Sequence, residues 1–150
     1  NLNNPEMEKC LTDIGNLYEN LSKYDIALKN YNEVLEIQRK LFAGNENHPK
    51  IAMTLNNIGN VYEKLGNIKK AFKSYEKAYK IQKDAFLDIE YHDEIAITLS
   101  NFGSIYETNL DYTNALKFYY EALEMEKKVY NCYNHSRIAT SLNDIGNVYE

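Results

Sequence analysis

Tryptophan is absent from the 150 residues, and proline and cysteine occur only twice each. No run approaches the 18 or so apolar residues of a membrane span. Each shortage closes a class. With so little proline, a chain rich in Leu, Ile, Lys, Glu and Ala meets few helix breakers, and helices are expected. Two cysteines, Cys10 and Cys132, make neither a disulfide framework nor a metal site, and suit a reduced, cytoplasmic setting. The missing apolar run argues against a membrane partner. Positive charge is short too: 17 Lys and Arg against 22 Asp and Glu leave a net charge of −5, with the signs interspersed. A nucleic-acid ligand needs a basic stripe to meet its phosphates, so none is expected. No signal peptide is visible, and the first residue is Asn1 rather than Met, so the segment is expected to be a fragment of a longer chain.

What is present is a phrase repeated four times. LTDIGNLYE at 11–19 returns as LNNIGNVYE at 55–63, LSNFGSIYE at 99–107 and LNDIGNVYE at 142–150. Catalytic motifs seldom recur along one chain, whereas structural repeats do. Aligned on Gly15, Gly59, Gly103 and Gly146, the copies are spaced by 44, 44 and 43 residues. Tyr18, Tyr62, Tyr106 and Tyr149 follow three residues later. Ala27, Ala71 and Ala115 follow by twelve, and Tyr31, Tyr75 and Tyr119 by sixteen. The chain holds three full units and the first half of a fourth.

Each unit reads as two helices. Leu11, Ile14, Gly15 and Tyr18 fall at i, i+3, i+4 and i+7, which is one helical face. Leu55, Ile58, Gly59 and Tyr62 repeat it, as do Leu99, Phe102, Gly103 and Tyr106. A glycine in mid-helix costs about 1 kcal/mol against alanine, so its fixed register points to close packing. The second helix carries Ala27, Tyr31, Val34 and Leu35, then Ala71, Tyr75, Ala78 and Tyr79, then Ala115, Tyr119, Ala122 and Leu123. Its small alanine is expected to face the glycine, with tyrosine filling beside it. Short turns join the pair: LSK at 21–23, LGN at 65–67 with Gly66 in the left-handed cap conformation, and in the third unit a turn supplied by Asn109. The expected helices are about 5–20, 24–42, 49–64, 68–86, 93–108, 112–131 and 136–150, with looser joints between units.

A period of 44 alone also suits HEAT or armadillo repeats. The internal pattern, Leu–x–x–Ile–Gly–x–x–Tyr followed by alanine and tyrosine at the offsets above, resembles the tetratricopeptide repeat (TPR), with leucine in place of that family's usual tryptophan. NHPKIAMTLNNIGNVY at 47–62 resembles the long-period variant of kinesin light chains and related adaptors. The resemblance covers essentially the whole chain. It implies an all-α, right-handed superhelical solenoid: one array over 1–150, with repeats at about 5–47, 48–91 and 92–134 and a partial one at 135–150.

Residues that could carry chemistry have plainer readings. His48, His92 and His135 share one register, eleven residues before the glycine, where the first unit has Asn4. That register opens a helix, so they read as N-caps rather than as metal ligands; successive helices pack about 10 Å apart, too far for shared bonds of about 2 Å. Cys10 lies in a helix with no histidine nearby in sequence and Cys132 lies in a joint, so both read as inert thiols. Asp13 and Asp144 stand where Asn57 and Asn101 stand elsewhere, which suits a solvated or interhelical position better than an acid/base pair. No phosphate loop or nucleophile elbow occurs. No catalytic residue, metal or cofactor is expected.

The informative stripe is the other face of each first helix, at six and three residues before the glycine and one and four after it. In the family this stripe lines a concave groove. Here it comprises Lys9, Thr12, Asn16 and Glu19; Met53, Asn56, Asn60 and Glu63; Ile97, Ser100, Ser104 and Glu107; and Thr140, Asn143, Asn147 and Glu150. Asparagine amides can pair with the backbone of an extended peptide, and Met53 and Ile97 offer apolar anchors. Some TPR co-chaperones clamp a C-terminal carboxylate here with basic residues. Asn16 and Asn60 match that clamp's amides, but Thr12, Ser100 and Ser104 stand at its basic positions. Kinesin light chains bind acidic peptides through basic residues, whereas Lys9 and Lys64 here face a glutamate ladder. The expected ligand is therefore a protein or peptide, neutral or basic rather than acidic. The expected function is a protein-interaction scaffold without enzymatic activity. The alternative is a regulatory or sensory module whose enzymatic or nucleic-acid-binding domain lies outside these residues.

Overall fold

The computed structural model describes residues 5–43, 45–131 and 135–149. They form α1 (Pro5–Asn20), α2 (Tyr24–Leu41), α3 (Pro49–Lys64), α4 (Ile68–Ala85), α5 (Asp93–Thr108), α6 (Tyr112–Tyr130) and α7 (Ser136–Tyr149), with no strand among the described residues. The expected helices are all present, to within a residue at their ends. Cys132, Asn4 and Glu150, which entered the sequence argument, lie outside the described residues. The chain divides into two compact units, one ending at Ile81 and the other beginning at Gln82.

Three hairpin turns share one geometry. The amide N–H groups of Lys23, Asn67 and Asp111 donate to the carbonyls of Tyr18, Tyr62 and Tyr106, and those of Ser22, Gly66 and Leu110 donate to Glu19, Glu63 and Glu107. This is the Schellman closure, which needs a left-handed residue at its corner. Gly66 supplies it at φ 72°, as expected, and Ser22 takes the same corner at φ 56°. In the third turn the expectation fails: Leu110 is left-handed at φ 60°, while Asn109 sits at φ −87°. The corner is fixed by distance from the glycine, seven residues in every unit, so the register overrides the residue type. A left-handed L-residue costs about 1–2 kcal/mol. Leu110 is 71% exposed, so Leu110→Gly loses little burial. We expect that variant to gain about 1 kcal/mol, read as a higher denaturation midpoint.

The inter-helix packing corrects a second expectation. It is the tyrosine ring, not the alanine, that lies nearest the glycine. A Cβ built on Gly15 would stand 2.6 Å from Tyr31 Cε1, and one on Gly103 would stand 2.5 Å from Tyr119 Cδ1. On Gly59 it would collide with the Tyr75 ring. The alanine is buried beside the tyrosine in the core instead. In the first unit Ala27, Tyr31, Leu35, Ile51, Ala52, Ile58, Val61, Ala78 and Ile81 form one buried cluster. In the second, Ala115, Tyr119, Leu123, Ile138 and Ile145 do the same.

The joints repeat as faithfully as the hairpins. His48, His92 and His135 accept at Nδ1 from the backbone N–H groups of Lys50, Glu94 and Arg137, so each caps the helix that its register opens. Each imidazole also stacks on an aromatic ring at the end of the preceding helix: Phe42 at 3.6 Å, Phe86 at 3.5 Å and Tyr130 at 3.5 Å between centroids. A buried polar bond accompanies every joint. Thr54 Oγ1 donates to Gln38 Oε1 at 2.9 Å, Thr98 Oγ1 to Gln82 Oε1 at 2.8 Å, and Ser141 Oγ to Glu126 Oε2 at 2.7 Å. In the first unit Gln38 also donates to Glu8 Oε1 at 3.0 Å. A buried polar side chain needs such a partner, and the spacing of the repeat delivers one each time.

Candidate functional site

In the first unit the stripe is partly built into the fold. The hydroxyl of buried Tyr31 donates to Asn16 Oδ1 at 2.7 Å and to Glu19 Oε2 at 2.8 Å. Tyr75 repeats this with Asn60 Oδ1 at 2.7 Å and Glu63 Oε2 at 2.8 Å. Both phenols are pushed far above their ordinary pKa, first by burial and then by the neighbouring glutamates. The recurring asparagine and glutamate therefore satisfy a buried hydroxyl. Each amide oxygen is already engaged, so what Asn16 and Asn60 retain for a ligand is chiefly their N–H donors. Lys64 Nζ lies 3.0 Å from Glu19 Oε1, which offsets one carboxylate of the ladder. Asn56 is only 6% exposed and belongs to the helix-packing layer. Met53 is 50% exposed; Lys9 is exposed, and Thr12 is half-buried with its hydroxyl donating to the carbonyl of Glu8.

The second unit holds a concavity of about 540 Å³ bounded by α5, α6 and α7. Its walls include Ile97, Ser100 and Ser104 of the expected stripe, together with Thr140. Tyr119 forms part of its lining and donates its hydroxyl to Glu107 Oε2 at 2.6 Å. Glu107, Asn143 and Asn147 are not part of the lining, and the two asparagines are exposed on α7.

Sequence reasoning missed two charged members of this cavity, Glu126 and Arg137, and took the third, Asp144, for a solvated or interhelical position. Burial raises the carboxyls of Glu126 and Asp144 above their ordinary values; for Glu126 the Ser141 bond and Arg137 partly offset this, and for Asp144 Glu107 adds to it. Arg137 Nε stands 3.4 Å from Asp93 Oδ1. A signal was available, because Glu126 stands where the earlier joints have Gln38 and Gln82.

The raised carboxyl gives a pH prediction. Between its unfolded and folded pKa values the native state holds the extra proton. The stability contributed by that proton is complete below the unfolded pKa and is lost as pH rises through the folded one. Glu126→Gln keeps an oxygen for Ser141 and removes this dependence. The variant is expected to melt above wild type at neutral pH, with the gap closing as pH falls through the carboxylate range. Thermal melts across that range check it; a constant gap contradicts it.

An all-α repeat of helix hairpins with a polar concavity has the form of a protein-interaction scaffold. The tetratricopeptide repeat family matches residues 7–84, more than half of the chain, and again residues 96–129. The chain belongs to that family, and its repeats are of the kinesin light chain-like type. No curated protein matches it. Among solved structures it is similar to BtubC (BKLC) from P. vanneervenii, with a TM-score of 0.76 and 22% identity over 95% of this chain and 55% of that one. It is also similar to a kinesin light chain-type protein of Podosopora anserina with nearly identical TPR-like repeats, with a TM-score of 0.80 and 15% identity over 97% of this chain and 67% of that one. The chain thus spans little more than half of the first structure. At these identities the likeness is one of fold. TPR proteins in general bind proteins or peptides and are not enzymes, and no described helix here is long and apolar enough to cross a membrane.

Proposed function

We propose that this chain binds an extended segment of a partner protein along the groove stripe of its first-of-pair helices, and that the segment is neutral or basic. The observation that carries the reading is the cavity of about 540 Å³ in the second unit, whose lining includes Ile97, Ser100, Ser104 and Thr140. Four stripe positions chosen by spacing alone meet at one concavity. The Ser100 hydroxyl offers a donor and an acceptor to a peptide backbone, and Ile97 supplies apolar surface. The Thr140 oxygen, whose hydrogen goes to the Ser136 carbonyl, offers an acceptor. In the first unit the amide donors of Asn16 and Asn60 and exposed Met53 offer the same combination. The whole chain, from 1 to 150, is read as one repeat array serving this purpose.

The test starts from an array of random nonapeptides screened for capture by the purified chain. A retained peptide is then titrated against wild type, Met53→Arg, Ile97→Arg and the control Lys73→Ala, at an exposed position away from the stripe. The arginine variants place bulk on the stripe without touching the Tyr–Asn–Glu bonds. Each is expected to weaken binding roughly tenfold or more, the loss of a well-placed apolar anchor. If Lys73→Ala weakens binding and the arginine variants do not, another surface is used.

A further inference from the structure

Two repeat positions carry acids in the last helices of the chain, and both bring a carboxyl to the same cavity. Twenty-three residues after the glycine stand Gln38, Gln82 and then Glu126. Two residues before it, the middle copies have Asn57 and Asn101, and the first and last have Asp13 and Asp144. Glu126 and Asp144 both line the second unit's concavity.

The joint does not require an acid at 126. Gln82 Oε1 accepts from Thr98 at 2.8 Å just as Glu126 Oε2 accepts from Ser141 at 2.7 Å. Glu126 is 2% exposed, and its other oxygen has no hydrogen bond among the described residues. A carboxylate held this way costs solvation that an amide would not. Among the described residues Arg137 is the one cationic side chain lining the cavity, and Asp93 already stands 3.4 Å from its Nε. Glu107, outside the lining, adds a further negative charge that acts on Asp144. The concavity therefore carries uncompensated negative charge between low-dielectric walls, which focuses the field on a cation. The Nδ2 of Asn101, on the same wall, is buried without an acceptor.

We propose that this cavity receives a lysine or arginine side chain from the bound peptide, with Glu126 and Asp144 as its counter-charges. Ile97 and the Tyr119 ring flank the aliphatic stem. The hydroxyls of Ser100 and Thr140 take remaining N–H groups, and Asn101 Nδ2 donates to a backbone carbonyl of the same peptide. The assignment rests on the groove reading for the peptide that delivers the side chain, and it explains a choice of basic ligand by a site rather than by net charge.

The test uses a probe that needs no known partner. N-acetyl-arginine N-methylamide is titrated into the full chain, beside its citrulline counterpart, which has the same shape without the charge. Backbone amide chemical shifts are followed by NMR. The arginine probe is expected to give saturable shifts at Ser100, Asn101, Thr140 and Asp144, and the citrulline probe none. The double variant Glu126→Gln, Asp144→Asn should weaken the arginine response at least about tenfold. It keeps the fold, because Gln stands at the register of 126 in both earlier joints and Asn at the register of 144 in both middle copies. Equal shifts with both probes, or an unweakened response in the double variant, overturn the assignment. If an array peptide still occupies the stripe while the arginine probe gives no response, the pocket fails alone. If the probe binds here and array peptides map elsewhere, the groove reading fails alone.

Discussion

Gly59→Leu is expected to destabilise the chain by about 3 kcal/mol, the upper part of the usual range for overpacking a filled core. The reason is local. The Tyr75 ring, fully buried, rests where the first side-chain carbon would go. A ring enclosed in a close-packed interior has little room to move aside. Gly103→Leu meets Tyr119 and should behave alike. The molecule supplies its own control. Gly146 carries the same motif on α7, but a Cβ there would meet nothing within 4 Å. At that position leucine should be neutral or stabilising by up to about 1 kcal/mol, the propensity difference between glycine and a good helix former. Chemical denaturation of the three variants measures this. Equal losses at Gly59 and Gly146 would show that contact with the tyrosine ring is not what makes the position intolerant of a side chain.

Tyr75→Ala is expected to cost about 3–5 kcal/mol, as large aromatic deletions from a core do. Tyr75→Phe keeps the ring and removes only the hydroxyl, which serves Asn60 and Glu63. It should cost about 1–3 kcal/mol, because a carboxylate loses a buried donor. The order Ala worse than Phe separates packing from hydrogen bonding. The double variant Gly59→Leu, Tyr75→Ala provides a sharper check. The leucine then enters the space the ring left, so the double should be more stable than the sum of the single losses by about 1–3 kcal/mol. Strict additivity would place the two residues out of contact.

Particular residues show how far the sequence could be read. The helices were legible because each buries a stripe at helical spacing, and Leu55, Ile58, Gly59 and Tyr62 suffice to orient α3. Gly66 was legible as a corner because glycine reaches positive φ freely. Leu110 was not, since its left-handed φ of 60° follows from its distance to Gly103 and not from its side chain. The glycine's neighbour was misjudged for a similar reason. Small-against-small packing is the usual expectation, yet a flat ring also fits the bare backbone. The stripe was legible as a register, but not the division of labour within it. Asn16, Asn60, Glu19 and Glu63 look like free surface letters until the Tyr31 and Tyr75 hydroxyls are placed beside them. Glu126 escaped notice because its partner Ser141 is fifteen residues away, and only the parallel pairs Gln38–Thr54 and Gln82–Thr98 reveal the pattern.

The most direct measurement of the binding account is an amide chemical-shift footprint of one array-selected peptide on the full chain. Shifts concentrated at Met53, Asn60, Ile97, Ser100, Ser104 and Thr140, with Lys29, Lys73 and Lys117 unmoved, are the predicted result. A footprint centred on those three lysines, with the stripe silent, would contradict it.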